Sequence, residues 1–382
     1  MSTHKYINKI CVAVTLVAVL ITILFMNGKK LGLTSIVDED AEVYEDLAYF
    51  TANDQNGDWD DSSATFITLN GASAKISGNG AYVYGNQVVI SGGGKYVLSG
   101  ILDDGSIVVD AYSSSKVYVK LNGVNVNCED DACFRVNQAD KVFLTLAEGT
   151  ENSFESGETY SDEALEDNTG DVIFAHDDLT INGSGNLTVT ANYKHGIDAN
   201  DDLVITGGTL TINAPKDGLH VNDSIRIMNA DITVNAEDDG VVVAKEEGYF
   251  YMESGTLNIT SADDSIHTAG DVIIAGGAYN IAAGDDGIHS DTNISVSDGY
   301  LLISECYEGL ESEQITVLDG EITIYPSDDG FNANGGTASG FGGFGGGFGG
   351  ALVEEGDIER AKPDELVKMA EDKGINLDQY NR

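Results

Sequence analysis

DDGIHSDTNISVSDGYLLISECY (285–307) holds three short runs of β-forming residues separated by turn pairs, and the pattern recurs on both sides of it. Upstream stand KHGIDANDDLVITGGTLTINAP (194–215), KDGLHVNDSIRIMNADITVNAE (216–237) and DDSIHTAGDVIIAGGAYNIAAG (263–284). Downstream stands EGLESEQITVLDGEITIYPS (308–327). The pivots Gly196, Gly218, Gly240, Ser265, Gly287, Gly309 and Gly330 lie 22, 22, 25, 22, 22 and 21 residues apart. The longer step coincides with extra residues near Lys245, Glu246 and Glu247, read as a bulging turn. Short strands at a fixed short period read as a solenoid, in which each coil buries its apolar face by stacking on its neighbours. No 3.6-residue apolar period runs through the units, which excludes a helical repeat.

The expected fold class is therefore all-β, a single-stranded parallel β-helix of about 22 residues per coil. Ile197, Leu219, Val241, Ile266, Ile288, Leu310 and Phe331 follow the pivots and point inward; the next residue points outward by alternation. Short β runs such as Val117–Leu121 and Val142–Leu146 extend the pattern upstream. About 12 coils fit between roughly residues 65 and 335, spanning about 60 Å at a strand spacing of about 4.8 Å. Residues 151–171 read as an acidic loop inserted across one face.

Composition narrows the function. The chain of 382 residues carries 64 acids against 19 Lys+Arg, a formal charge of −45, with 46 Gly and 3 Pro. Such an excess excludes a nucleic-acid partner, which needs a basic footprint. It also disfavours adsorption to anionic lipid and favours cation binding. At 42% hydrophobic residues the chain can still bury a core. Ile10 to Met26 is uncharged and mostly apolar, with lysines on both sides. It reads as an uncleaved membrane-spanning signal anchor in preference to a signal peptide. The division expected is 1–30 anchor, 31–60 acidic spacer, 61–336 β-helix, 337–350 Gly/Phe-rich linker and 351–382 a tail with a short helix from Pro363 to Lys373. The β-helix then stands as a monomer on the outer face of the membrane. Cys128 and Cys133 either pair or pack as small apolar residues, and Cys306 has no partner to complete a disulfide framework.

The residue before each pivot forms a column: His195, Asp217, Asp239, Asp264, Asp286, Glu308 and Asp329. A second acid precedes it at Asp238, Asp263, Asp285 and Asp328. Two unit charges about 4.8 Å apart repel by about 3.5 kcal/mol at an effective dielectric of 20, and by about 0.9 kcal/mol in water. Protonation, outward splay, lysine partners or a divalent cation each relieve this. Ca²⁺ suits it best, taking six to eight oxygens in loose geometry; the alternative is that these acids simply form turns. Neither the EF-hand loop nor the glycine-rich nonapeptide of calcium-binding β-rolls is present.

The outward column is Asp198, His220, Val242, His267, His289, Glu311 and Asn332, so three of the six His fall in it. Planar polar side chains in a row suit hydrogen bonding to successive sugar rings; a solvated face copied by repeat duplication is the plain alternative. A zinc site is disfavoured because stacked His do not readily converge on one metal. Lys194 and Lys216 stand just before the ladder and join the candidate glycan contacts. Either of them, or Arg226, is placed to act as the base of a uronate β-elimination, though ion pairing with the ladder is the simpler role.

ATFITLNGASAKISGNGAYVYGNQVVISGGGKYVLSGILDDGSIVVDA (64–111), KVFLTLAEGTENSF (141–154), DDLTINGSGNLTV (177–189) and the DDGIHSD units closely resemble a clostridial family of carbohydrate-binding parallel β-helix proteins. The resemblance covers about residues 60–336. It implies a right-handed β-helix with a fold like that of polysaccharide lyases, Ca²⁺ as cofactor, and binding of cellulose or acidic, pectin-type polysaccharide. The D-D-G positions are those that match. Val242 departs from the outward pattern, and Lys216 and Tyr307 stand where the first acid of the doublet is missing. Lyase activity does not follow from the resemblance. The expected function is calcium-dependent polysaccharide binding at the cell surface, with a pectate-lyase-like eliminase and a structural stalk or adhesin as alternatives.

Overall fold

The computed structural model describes residues 49–333 apart from Asn168, together with Leu352–Val353. The chain divides into two units, Met1–Thr51 and Ala52–Arg382, and all the secondary structure described belongs to the second. The anchor at 10–26, the linker at 337–350 and the helix at 363–373 lie outside the described residues. Among the described residues no helix is long and apolar enough to cross a membrane.

The described residues of the second unit form an all-β solenoid of about 11 turns with almost no helix. One turn consists of Leu219–Val221, Ser224–Ile227 and Ala230–Ala236. Each strand pairs in parallel with its counterpart one turn on: Leu219 faces Val241, Ser224 faces Tyr249, and Asp231 faces Thr256. Repeating this makes three sheets along the axis, called here the first, second and third in chain order within a turn. Inward positions close one continuous core, and Ile197, Leu219, Val241, Ile266, Ile288 and Leu310 are all fully buried in it. A parallel sheet buried on one face by stacking alone needs β-branched and Leu residues there, and the sequence supplies them.

The pivot glycines let successive turns approach. A Cβ on Gly218 would lie 2.2 Å from Val234 Cγ1 and 2.7 Å from the Gly240 carbonyl oxygen. The main-chain N–H groups of Gly196, Gly218, Gly240, Ser265, Gly287 and Gly309 donate to the carbonyls of Asp217, Asp239, Asp264, Asp286, Glu308 and Asp329. This chain of bonds holds the ladder residues in register.

Three expectations change. The N-terminal end contains hairpins, with Thr65–Gly71 antiparallel to Ala74–Ser77 and Ala81–Tyr84 antiparallel to Gln87–Ile90, so the turns number about 11 and not 12. Residues 151–171 are not one loop: Glu151–Ser156 is a third-sheet strand, and only the segment after it departs from the coil, through a one-turn helix at Asp162–Glu166. The stretch beyond Thr51, read as part of a spacer, lies along the second sheet. Asp54 accepts from Thr180 Oγ1 at 2.6 Å and faces Lys141 Nζ at 3.0 Å. Trp59 donates to Thr145 Oγ1 at 2.9 Å and lies beneath Lys120 Nζ, 4.2 Å from the ring centre. Cys128, Cys133 and Cys306 are free and buried.

A carboxylate and histidine edge as the candidate functional site

The first sheet and the turn that precedes it bring the candidate residues together. Each ladder residue precedes a first-sheet strand, so its side chain stands at the sheet edge. There, carboxylates meet main-chain donors from the next turn. His195 N–H donates to Asp171 Oδ1 (3.2 Å), Asp264 N–H to Asp239 Oδ1 (2.9 Å), Asp286 N–H to Asp264 Oδ1 (2.9 Å) and Glu308 N–H to Asp286 Oδ1 (3.2 Å). The neutral-to-anion bonds offset part of the repulsion expected from the spacing. Asp217, Asp264, Asp286 and Glu308 are buried at this edge.

The first acids of the doublets form a second, more exposed column. Asp238 pairs with Lys216 Nζ, and this hydrogen bond raises the lysine's pKa. Asp328 accepts from the Tyr307 hydroxyl, which raises the phenol's pKa. Asp263 and Asp285, between these ends, make no ion pair with a basic side chain among the described residues. Partial burial and the neighbouring acids raise the pKa of both.

The outward column runs in register as Asp198, His220, Val242, His267, His289, Glu311 and Asn332. Val242 divides its histidines. Below it, His195 from the ladder stacks on His220, centroids 4.5 Å apart; above it, His267 stacks on His289 at 4.7 Å. Asp217 Oδ2 lies 2.7 Å from His220 Nδ1 and 3.2 Å from His195 Nδ1. Asp264 Oδ2 lies 3.3 Å from His289 Nδ1 and 3.5 Å from His267 Nδ1. Asn332 donates to Glu308 Oε2 at 2.7 Å and to Glu311 Oε1 at 3.1 Å. Asp198 is more enclosed than the rest of the column, which narrows what it can offer a ligand. Asp329 is exposed at the last turn.

These neighbours split the titrations. The hydrogen bond to Asp264 holds His289 charged and lifts its pKa to about 9, and a bond to Asp239 raises that of His267. Burial drives His195 down to about 3. Burial, a hydrogen bond with Glu311 and the Asp264 charge push Asp286 up to about 8. Burial also opposes charge on Asp217, yet its His220 bond and the His195 field leave its carboxyl below the usual value.

The basic residues named from the sequence are held in ion pairs. Lys194 Nζ lies 3.8 Å from Asp171 and 3.9 Å from Asp198, and Arg226 pairs with Asp202 on the second sheet. The sequence reading missed Asp171. Val172 replaces the pivot glycine there, and the irregular insert before it hides the period; the signal was Asp171-Val172-Ile173-Phe174-Ala175 beside His195-Gly196-Ile197-Asp198-Ala199. Burial, and then the Asp198 charge, raise Asp171 to about 7.

The described residues thus form an all-β solenoid bearing a polar, acid-rich edge. A family model described as carbohydrate-binding domain-containing protein matches residues 84–339, and the chain belongs to that family. A carbohydrate-binding domain-containing protein of Acetivibrio thermocellus is 43% identical over 201 residues, covering 51% of this chain and 70% of that protein. A solved structure described as the polysaccharide lyase-like protein from C. thermocellum, a gadolinium derivative, superposes with a TM-score of 0.52 at 28% identity, covering 70% of this chain and 96% of that one.

Proposed function

We propose that this chain is a calcium-dependent polysaccharide-binding protein of the cell surface, its right-handed coil tethered by the apolar segment 10–26. The observation that carries the calcium reading is the Asp263–Asp285 step of the outer column: two neighbouring carboxylates, pushed toward protonation by partial burial and by the acids of the ladder, with no basic ion-pair partner among the described residues. Their donor set is oxygen alone, carboxylates beside turn carbonyls, which fits a hard cation with flexible coordination. Asp238 and Asp328 continue the same outer column, and Asp329 stands beside it at the last turn.

The glycan lies along the outward column, where His220, His267, His289, Glu311 and Asn332 offer donors and acceptors at the repeat of the strands, with Lys194 and Lys216 at its rim. On a chain of net charge −45, an acidic glycan needs the cation as a bridge, whereas cellulose does not. Pull-down on insoluble cellulose and affinity electrophoresis in polygalacturonate, each with Ca²⁺ and with chelator, test this. Retention of polygalacturonate unchanged in chelator contradicts the bridge. Failure to bind either polymer contradicts the glycan reading and leaves the stalk.

The eliminase is the second reading, favoured by the lyase-like fold. It requires a free base beside the ladder, and Lys194 and Lys216 both face carboxylates at their present positions. Ultraviolet absorbance of unsaturated uronate, followed with Ca²⁺ across a range of pH, decides it.

A further inference from the structure

We propose that His267, His289 and Asp264, completed by Asp239, bind one borderline divalent cation of the zinc class, at a site distinct from the oxygen-only outer column. The proposal rests on neither the calcium nor the glycan reading.

The spacing of the donors comes first. Asp264 Oδ2 sits 3.5 Å from His267 Nδ1 and 3.3 Å from His289 Nδ1, and the three ligand atoms all lie within 4.8 Å of one another. A tetrahedral zinc with bonds near 2.05 Å has ligand–ligand edges of about 3.3 Å. Two of the edges needed are therefore already formed. Asp239 Oδ2, 3.8 Å from His267 Nδ1, supplies a fourth ligand; Asp286 Oδ2 stands at the same distance from His289 Nδ1 on the other side. The rings are parallel, 1° apart in plane, so one imidazole has to turn out of the stack before both Nδ1 lone pairs meet at one ion. Stacked histidines do not converge by themselves. The carboxylate set between them provides the convergence.

The surroundings fit as well. Oδ1 of Asp239 and Oδ1 of Asp264 each accept a main-chain N–H at 2.9 Å, which leaves Oδ2 of each as a positioned single donor. On the far side of its ring, His289 Nε2 faces Asp291 Oδ1 at 3.5 Å, the carboxylate placement that orients metal-bound imidazoles. The site is open at one side: the His267 and His289 side chains are 36% and 27% exposed, over an Asp264 at 9%. Imidazole nitrogen selects zinc, nickel or cobalt over calcium.

The comparable trio at His195, Asp217 and His220 shows why the upper one is singled out. His195 Nδ1 already accepts the Asp217 N–H at 3.1 Å, so its lone pair is in use, and the ring is buried.

Cobalt(II) is the probe. The full chain, stripped with chelator and returned to millimolar Ca²⁺, is titrated with Co²⁺ and followed by visible absorption. One equivalent giving intense four-coordinate bands, displaced by Zn²⁺, is expected. His267→Ala and His289→Ala weaken it by more than about tenfold. His289→Gln, which keeps a polar side chain on this outer face, loses the bands in the same way. His176→Ala, at an exposed histidine outside the cluster, retains them. Absence of the bands in the natural chain, their persistence in both histidine variants, or displacement of Co²⁺ by equimolar Ca²⁺ overturns the proposal.

Discussion

The main-chain N–H of Asp286 donates to Oδ1 of Asp264, one turn below it, at 2.9 Å. The ladder is thus more than a stack of like charges: the carboxylates of Asp239, Asp264 and Asp286 each also close the turn after their own. Asp264→Asn keeps an acceptor for this N–H, while Asp264→Ala leaves it buried without a partner, at a cost of about 1–3 kcal/mol. Equilibrium denaturation of both variants in chelator should show the alanine form clearly less stable than the asparagine form. Equal midpoints would mean that the bond contributes nothing.

Stability in chelator should fall as pH rises through the alkaline side of neutrality. His289 has a folded pKa of about 9, raised by Asp264. Its contribution is complete below the unfolded value of about 6.5 and is lost as pH climbs toward the folded one. Asp286 acts in the same direction over a lower window: unfolded it ionises at about pH 3.9 and folded at about 8, so its penalty grows between about pH 4 and about pH 8. His195, pushed down to about 3 by burial, supplies the opposite, acid limb: its contribution is lost as pH falls below about 6.5. Melting temperature should decline from about pH 6.5 to about pH 9, where His289 and Asp286 act together, and His289→Gln should flatten that limb.

Two glycines of the pivot column should respond differently to a methyl group. Gly218→Ala places a Cβ 2.2 Å from Val234 Cγ1, whereas a Cβ on Gly330 meets nothing within 4 Å among the described residues. Overpacking of this kind costs about 1–3 kcal/mol. Denaturant midpoints should drop for Gly218→Ala and stay near the natural value for Gly330→Ala.

The segment from Asp54 to Asp61 should detach when its anchor is cut. Trp59 is buried, bonded to Thr145 and capped by Lys120. Trp59→Ala removes both contacts and the buried ring, and large buried aromatics lost to alanine cost about 3–5 kcal/mol. Limited proteolysis should cleave this segment much faster in the variant while the later turns resist. Unchanged cleavage would show that the segment is held by Asp54 alone.

The repeat was legible because a period of 22 residues puts pivot, ladder and outward residue in fixed columns, and the register of His220, Val242, His267 and His289 follows directly. Asp171 was not, since the insert before it breaks that period. The docking of Asp54 on Thr180, 126 residues away, has no local signal at all. The hairpins near Ala74 and Ala81 share alternating β character with true coils, so the chain read as a longer solenoid than it forms. How the ladder carboxylates are relieved was also hidden. Spacing exposes the repulsion, but not the N–H groups and imidazoles that face it.

Thermal melting of the natural chain and of an Asp263→Asn, Asp285→Asn double variant, each with Ca²⁺ and with chelator, probes the brace on the outer edge. We expect Ca²⁺ to raise the melting temperature of the natural chain by several degrees. The double variant should be indifferent to the ion and more stable than the natural chain in chelator. Identical melting of the natural chain in both conditions would contradict the brace.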